Sequence, residues 1–175
     1  ITMINEMMGD FETGTYGTIL SIIGLIIIPY YALNAIASPI VSAYIYEEKW
    51  SDLKALYQSS SLNLFFVGSL LLCCILAGSG SLFHLMKNGN YLVELSPVLW
   101  ILGFGILFDM ATGINGQIIT FSKYYKFNIY LNLLLAILTL CLNYFFIKHS
   151  NLGSIGVAIS TCISLVIYNI LKLIF

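Results

Sequence analysis

The chain has 175 residues, of which 59% are hydrophobic and 9% are charged, and its formal net charge is −1. Soluble domains carry about 25% charged residues, so this chain has too few charges to cover a water-facing surface. The near-zero net charge and the lack of Lys-rich or Arg-rich runs exclude a nucleic-acid-binding footprint. The composition therefore predicts a protein whose solvent is lipid.

Apolar stretches long enough to cross a bilayer recur along the chain. A transmembrane helix needs about 20 apolar residues, and five stretches reach that length: residues 16–43, 60–85, 97–121, 127–147 and 153–171. Helices satisfy their own backbone hydrogen bonds in lipid, so the pattern predicts an all-α, polytopic bundle forming one membrane domain. Pro39 predicts a kink near the end of the first span. Residues 1–9 are too short to cross, and we expect them to be the tail of an earlier span.

Lysines in the connectors predict the orientation of the bundle. One side carries five of them, Lys49, Lys54, Lys123, Lys126 and, at the end of the last span, Lys172, whereas the other side carries Lys87 and Lys148. The excess of lysine places the first side in the cytoplasm. No basic segment precedes a short apolar core at the start, and the last residues are apolar, so we expect an internal piece of a longer protein.

Asp109 is the first candidate for a functional residue, because it lies near the middle of the third span. Carboxylates inside a membrane usually face a cavity or a partner group. Gly105, Thr112, Gly113 and Gly116 follow at helical spacing and share its face. This face predicts either a cavity wall, formed by Asp109 with Thr112, Asn115 and Gln117, or a seam where two helices pack closely.

Two other spans carry small or polar stripes. Gly153, Gly156, Ser160 and Ser164 share one face of the fifth span, which favours helix packing. In the first span Asn34, Ser38 and Ser42 lie beside Pro39. That stripe indicates either a helix that bends during gating or side chains that satisfy the carbonyl freed by the proline.

No pattern for catalysis or cofactor binding is present in the sequence. There is no Ser-His-Asp set, P-loop, HExxH or dinucleotide fingerprint, so we expect no enzyme and no cofactor. The four cysteines lie inside apolar runs, which predicts buried, unreactive thiols.

Several segments together resemble the Wzx-type polysaccharide flippases of the multidrug/oligosaccharidyl-lipid/polysaccharide exporter superfamily. The segments, in chain order, are Gly14-Thr15-Tyr16-Gly17, Pro29-Tyr30-Tyr31-Ala32-Leu33, Pro39 with the charged connector ending Asp52-Leu53, Phe108 to Gly116 followed by Ser122-Lys123-Tyr124-Tyr125, and Gly153 to Thr161. The resemblance covers essentially the whole chain, and the order and spacing of the segments carry it.

The resemblance implies a transporter with 12–14 helices in two lobes around a central cavity. Such proteins move undecaprenyl-pyrophosphate-linked oligosaccharides outward across the bacterial inner membrane by alternating access, for polysaccharide and lipopolysaccharide synthesis. This chain then corresponds to the end of the seventh helix and helices eight to twelve, most of the C-terminal lobe. Asp109, Thr112, Asn115, Gln117 and Asn34 become candidates for cavity lining or for coupling to H⁺ or Na⁺.

One departure from the family concerns the pyrophosphate. Family cavities hold it with cationic side chains, but this chain has no Arg and every Lys lies at a predicted span end, so we expect the phosphate-binding residues elsewhere in the protein. Three alternatives stay open: a drug/ion antiporter of the same superfamily, an integral-membrane glycan polymerase or transferase, and a membrane scaffold.

Overall fold

A computed structural model describes residues 9–86, 89–149 and 152–174, and the predicted tail before Gly9 and Lys87 lie outside them. The described residues form seven helices and no strand. The helices are α1 (Asp10–Tyr46), α2 (Trp50–His84), α3 (Gly89–Glu94), α4 (Ser96–Ala111), α5 (Asn115–Phe121), α6 (Tyr125–His149) and α7 (Gly153–Ile174).

Four of these helices, α1, α2, α6 and α7, are each long and apolar enough to cross a membrane. The pair α4 and α5 is apolar enough to be a fifth span if the two helices cross the membrane together, and it is bent by 50° at its break. The prediction of an all-α, multi-pass membrane bundle is therefore confirmed. At 1.5 Å per residue, α1 is about 55 Å long and exceeds the hydrocarbon thickness of about 30 Å. Its ends, near Asp10 and Glu47, consequently reach past the hydrocarbon.

Helix α4 is the centre of the bundle, because it packs against α1, α2 and α7. Glycines make this packing close: a Cβ on Gly103 would lie 2.5 Å from Leu72 of α2, and one on Gly105 would lie 3.3 Å from the Cys162 sulfur of α7. Close backbone approach through small residues is how membrane helices gain packing energy without a hydrophobic driving force. The seam predicted for Gly105 is thus the α4–α7 interface.

The apolar core lies between these helices, and the rest of the apolar surface faces outward. Ile19, Ile23, Leu99 and Met110 are among its fully buried side chains. By contrast, Leu131 is the one buried residue on α6. An outward apolar surface on this scale suits acyl chains and not water.

The cysteines correct one expectation. Cys73, Cys74 and Cys141 are exposed on the outer surface of the bundle, and Cys162 is half-buried. All four thiols are free. The sequence pattern could not separate lipid-facing from core positions here, because both are apolar.

The third span is broken between Ala111 and Asn115, which corrects the prediction of one continuous helix over residues 97–121. Gly113 has φ of +59°, a left-handed conformation that favours glycine. A Cβ at this position would lie 3.0 Å from the Ser61 backbone of α2. Ser61 also donates its hydroxyl to the Ala111 carbonyl, which the break leaves without a helical partner. The break is therefore supported by α2.

Helix α1 is not broken, although it contains two prolines. α1 continues as one helix through Pro29 and Pro39. In the turn after it, Glu47 lies 2.6 Å from the Lys49 ammonium and raises the pKa of that group through a hydrogen bond and its charge. Both side chains are about half exposed, so this pair contributes little to stability.

Gly113→Ala tests the break. A Cβ in a left-handed conformation costs about 1–2 kcal/mol, and the contact with the Ser61 backbone adds to it. We expect a lower melting temperature for the variant of the complete gene product in detergent. Gly24→Ala in α1 is the matched control, because its Cβ would meet nothing within 4 Å. Equal melting temperatures for the two variants would contradict a strained break at Gly113.

Candidate functional site

Two opposite charges meet inside the bundle. Asp109 lies in the last turn of α4, just before the break, and its carboxylate is 3.9 Å from the Lys172 ammonium of α7. The Lys172 side chain is 3% exposed and that of Asp109 is 15% exposed. Lys172, counted above as a span-end lysine, is buried in the last turn of α7. Without Lys172 the connectors on the two sides carry four lysines and two lysines, and this excess predicts the same orientation.

The Lys172 ammonium is enclosed by several elements. It lies 4.3 Å from the centre of the Tyr168 ring, a cation–π contact one turn earlier on α7. It also lies 3.9 Å from where a Cβ of Gly116 would be. The Asn115 amide donates to the Lys172 carbonyl at 2.9 Å. Helices α4, α5 and α7 together therefore hold this lysine away from solvent.

Polar contacts continue along the interface of α4 and α7. The Thr112 hydroxyl donates to the Asp109 carbonyl at 2.7 Å and lies 3.4 Å from the Asn169 side-chain oxygen. Gly105 faces Cys162, Thr112 faces Asn169 and Asn115 faces Lys172. The partners rise together in number, so α7 runs parallel to α4 and α5 across the break. The face predicted around Asp109 is therefore covered by α7.

Helix α1 contributes the other side of the site. Tyr30 lies within electrostatic range of Asp109, and its hydroxyl lies near the side chain of Asn34 one turn further along α1. Asn34 is 8% exposed, and its side-chain oxygen is buried without a hydrogen-bond partner. A buried acceptor without a donor is costly, so this oxygen marks a position where a bound donor would be stabilised.

A hydrogen bond connects the site to α6. The Tyr168 hydroxyl donates to the Asn132 side-chain oxygen at 2.8 Å. Further along, Ser160 donates to Asn143. These side chains connect α6 to α7, and side-chain hydrogen bonds between membrane helices stabilise their packing.

Of the five predicted site residues, the structure brings three together at the interface with α7, and the other two lie elsewhere. Asp109 and Asn115 contact Lys172 of α7, and Thr112 contacts Asn169 of the same helix. Asn34 adjoins them through Tyr30. Gln117 is half-buried on α5, and within the described ranges no side-chain hydrogen bond is found for it.

Sequence reasoning missed Tyr168, Asn169 and Lys172. A signal for them exists, because Ser160, Ser164, Tyr168 and Lys172 follow one another at intervals of four and so share a face of α7. Ending the fifth span at residue 171 separated Lys172 from this stripe.

An apolar groove lies on the other face of α4. It has a volume of about 400 Å³ between α2 and α4, and Leu72, Trp100, Phe104 and Leu107 are among its lining residues. Trp100, Phe104 and Leu107 point roughly opposite to Gly105 and Asp109 on the helix, so the groove is separate from the charged site.

Part of the chain is similar in sequence to a known membrane receptor. A stretch of 78 residues, 43% of this chain, is 34% identical to sphingosine 1-phosphate receptor 3 of Takifugu rubripes. The match spans about a fifth of that receptor's length. No family model matches the chain, and no solved structure is similar to it. The similarity to a membrane receptor agrees with the multi-pass architecture.

A double-mutant cycle tests the ion pair. Removing one partner of a buried pair leaves an uncompensated charge and costs about 3–5 kcal/mol. We therefore expect Asp109→Asn and Lys172→Met each to lower the melting temperature in detergent, and the double variant to lose much less than the sum.

The cycle on Glu47→Gln and Lys49→Met is the control, because that exposed pair is screened by water. We expect no measurable coupling there. Additive losses at Asp109 and Lys172 would show that the two charges do not interact.

Proposed function

We propose that this chain is part of a bacterial inner-membrane flippase that moves undecaprenyl-pyrophosphate-linked oligosaccharides outward for polysaccharide and lipopolysaccharide synthesis. In this proposal the chain is a transporter lobe and not an enzyme. The order of the sequence segments that resemble Wzx-type flippases supports the substrate class. The observation that carries a transport role is the buried pair of Asp109 and Lys172.

Stability alone does not account for the pair. A charged residue at the centre of a membrane helix costs about 2.5–3.5 kcal/mol on insertion scales. Replacing a buried ion pair with apolar residues of similar volume is often neutral or stabilising. Paired charges inside membrane bundles commonly mark substrate or ion pathways. The pair of Asp109 and Lys172 therefore favours a pathway over a scaffold.

The break beside the pair supports the same function. Asp109 is two residues before Ala111, where α4 ends, and the helix pair bends by 50° at the break. Discontinuous helices in transporters lie at substrate and ion sites, because their free backbone ends and unwound segments face the cargo. A bend held by Gly113 and Ser61 also gives two half-helices that can move separately.

The pair suggests how an anionic headgroup is handled. Lys172 is a buried cation in a chain that has no Arg. When Asp109 takes up a proton, Lys172 loses its counter-charge and becomes available for a phosphate oxygen of the headgroup. When the headgroup leaves, Asp109 releases the proton and takes Lys172 back. The sugar crosses between lobes while the lipid tail stays in the bilayer.

Surface polysaccharide export in the native host tests this proposal. We expect Asp109→Asn and Lys172→Met, introduced into the complete gene, to reduce export at least about tenfold, because a tenfold loss requires only 1.4 kcal/mol. Lys172→Arg should retain part of the activity, because it keeps the charge.

Lys49→Met is the control, because that lysine lies in an exposed turn. Membrane abundance is measured for each variant, so that loss of folding is separated from loss of transport. Normal export by an Asp109→Asn variant would contradict the proposal.

A further inference from the structure

The ammonium of Lys172 takes the place beside Asp109 that a bound metal cation would take. It is 3.9 Å from the carboxylate oxygen, and its side chain is 3% exposed. The Tyr168 ring covers it at 4.3 Å. The carboxylate of Asp109 is more accessible than its partner, with 15% of the side chain exposed.

The neighbouring polar side chains already make hydrogen bonds to other protein groups. The Thr112 hydroxyl donates to the Asp109 carbonyl, and the Asn169 amide donates to the Leu165 carbonyl at 3.0 Å. The Asn169 oxygen lies 3.4 Å from Thr112. A Na⁺ ion needs several oxygen ligands at once, so it would have to displace these contacts as well as Lys172.

We propose that Lys172 determines the coupling ion: as a tethered cation it excludes Na⁺ from the Asp109 carboxylate, so that this site exchanges a proton. The proposal rests on the transport function above for its biological meaning. Which cation binds to the Asp109 carboxylate can be measured separately from transport.

Space beside the carboxylate distinguishes the two ions, and charge repulsion adds to the cost of binding either one. Two positive charges about 4 Å apart in protein surroundings repel strongly enough to weaken binding by about a thousandfold. A proton meets this cost too, but it bonds to a single carboxylate oxygen and needs no other ligand, whereas Na⁺ also needs the space that the Lys172 ammonium fills. The titratable groups facing Asp109 among the described residues are Lys172 and Tyr168 from α7 and Tyr30 from α1. Both phenols are uncharged in their protonated form, so Lys172 alone supplies the repulsion.

Binding of radiolabelled Na⁺ to the purified complete gene product in lipid nanodiscs tests this inference without substrate. At mildly alkaline pH we expect the unaltered protein to bind no more Na⁺ than Asp109→Asn. Lys172→Ala should gain about one Na⁺ per chain, because truncation opens the space and removes the repelling charge. The gain should disappear in the double variant with Asp109→Asn and fall as the pH is lowered.

Lys172→Arg is the matched control, because it keeps the charge and should bind no Na⁺. Lys172→Gln replaces Lys172→Ala if melting in nanodiscs shows that the alanine variant is unfolded. Na⁺ binding by the unaltered protein that Asp109→Asn abolishes would overturn the inference, and so would a folded charge-removed variant that binds none. Neither result depends on polysaccharide export, so failure of this inference and failure of the flippase proposal are distinguishable.

Discussion

Lipid solvates neither side-chain charges nor unpaired backbone groups, and this constraint organises the whole molecule. The long apolar runs become helices because helices pair their own backbone. The charges in the turn after α1, such as Glu47 and Lys49, are about half exposed and lie outside the packed bundle. Asp109 and Lys172 lie inside it, and each finds its opposite charge in a neighbouring helix.

At the break in the third span, backbone groups that lose their helical partners need other hydrogen-bond donors. Ending α4 at Ala111 frees carbonyls that have no water to bond. Ser61 supplies one donor from α2, and the Thr112 hydroxyl supplies another to the Asp109 carbonyl. Gly113 accepts the left-handed backbone that the turn requires. The break is therefore built into the packing of α2 and α4, next to the ion pair.

The ion pair also joins parts of the bundle that are distant in sequence. Tyr168 contacts Lys172 with its ring and Asn132 of α6 with its hydroxyl. On the other side, Tyr30 of α1 lies within electrostatic range of Asp109 and near the side chain of Asn34. Polar contacts thus run from α6 through α7 and α4 to α1. A change of charge at Asp109 would therefore act on four helices of the bundle through direct contacts.

The sequence by itself determined the solvent, the fold class and the approximate helices, because hydrocarbon thickness and backbone pairing leave few alternatives for runs this apolar. Spacing also placed Asp109 and Thr112 on one face. Tertiary structure alone decided what covers that face. Lys172 is two residues from the last described position and looks like a span-end lysine in sequence, yet the parallel packing of α7 along α4 carries it to Asp109. Which face of a helix is buried depends on the helices that pack against it, and the local sequence does not specify those neighbours.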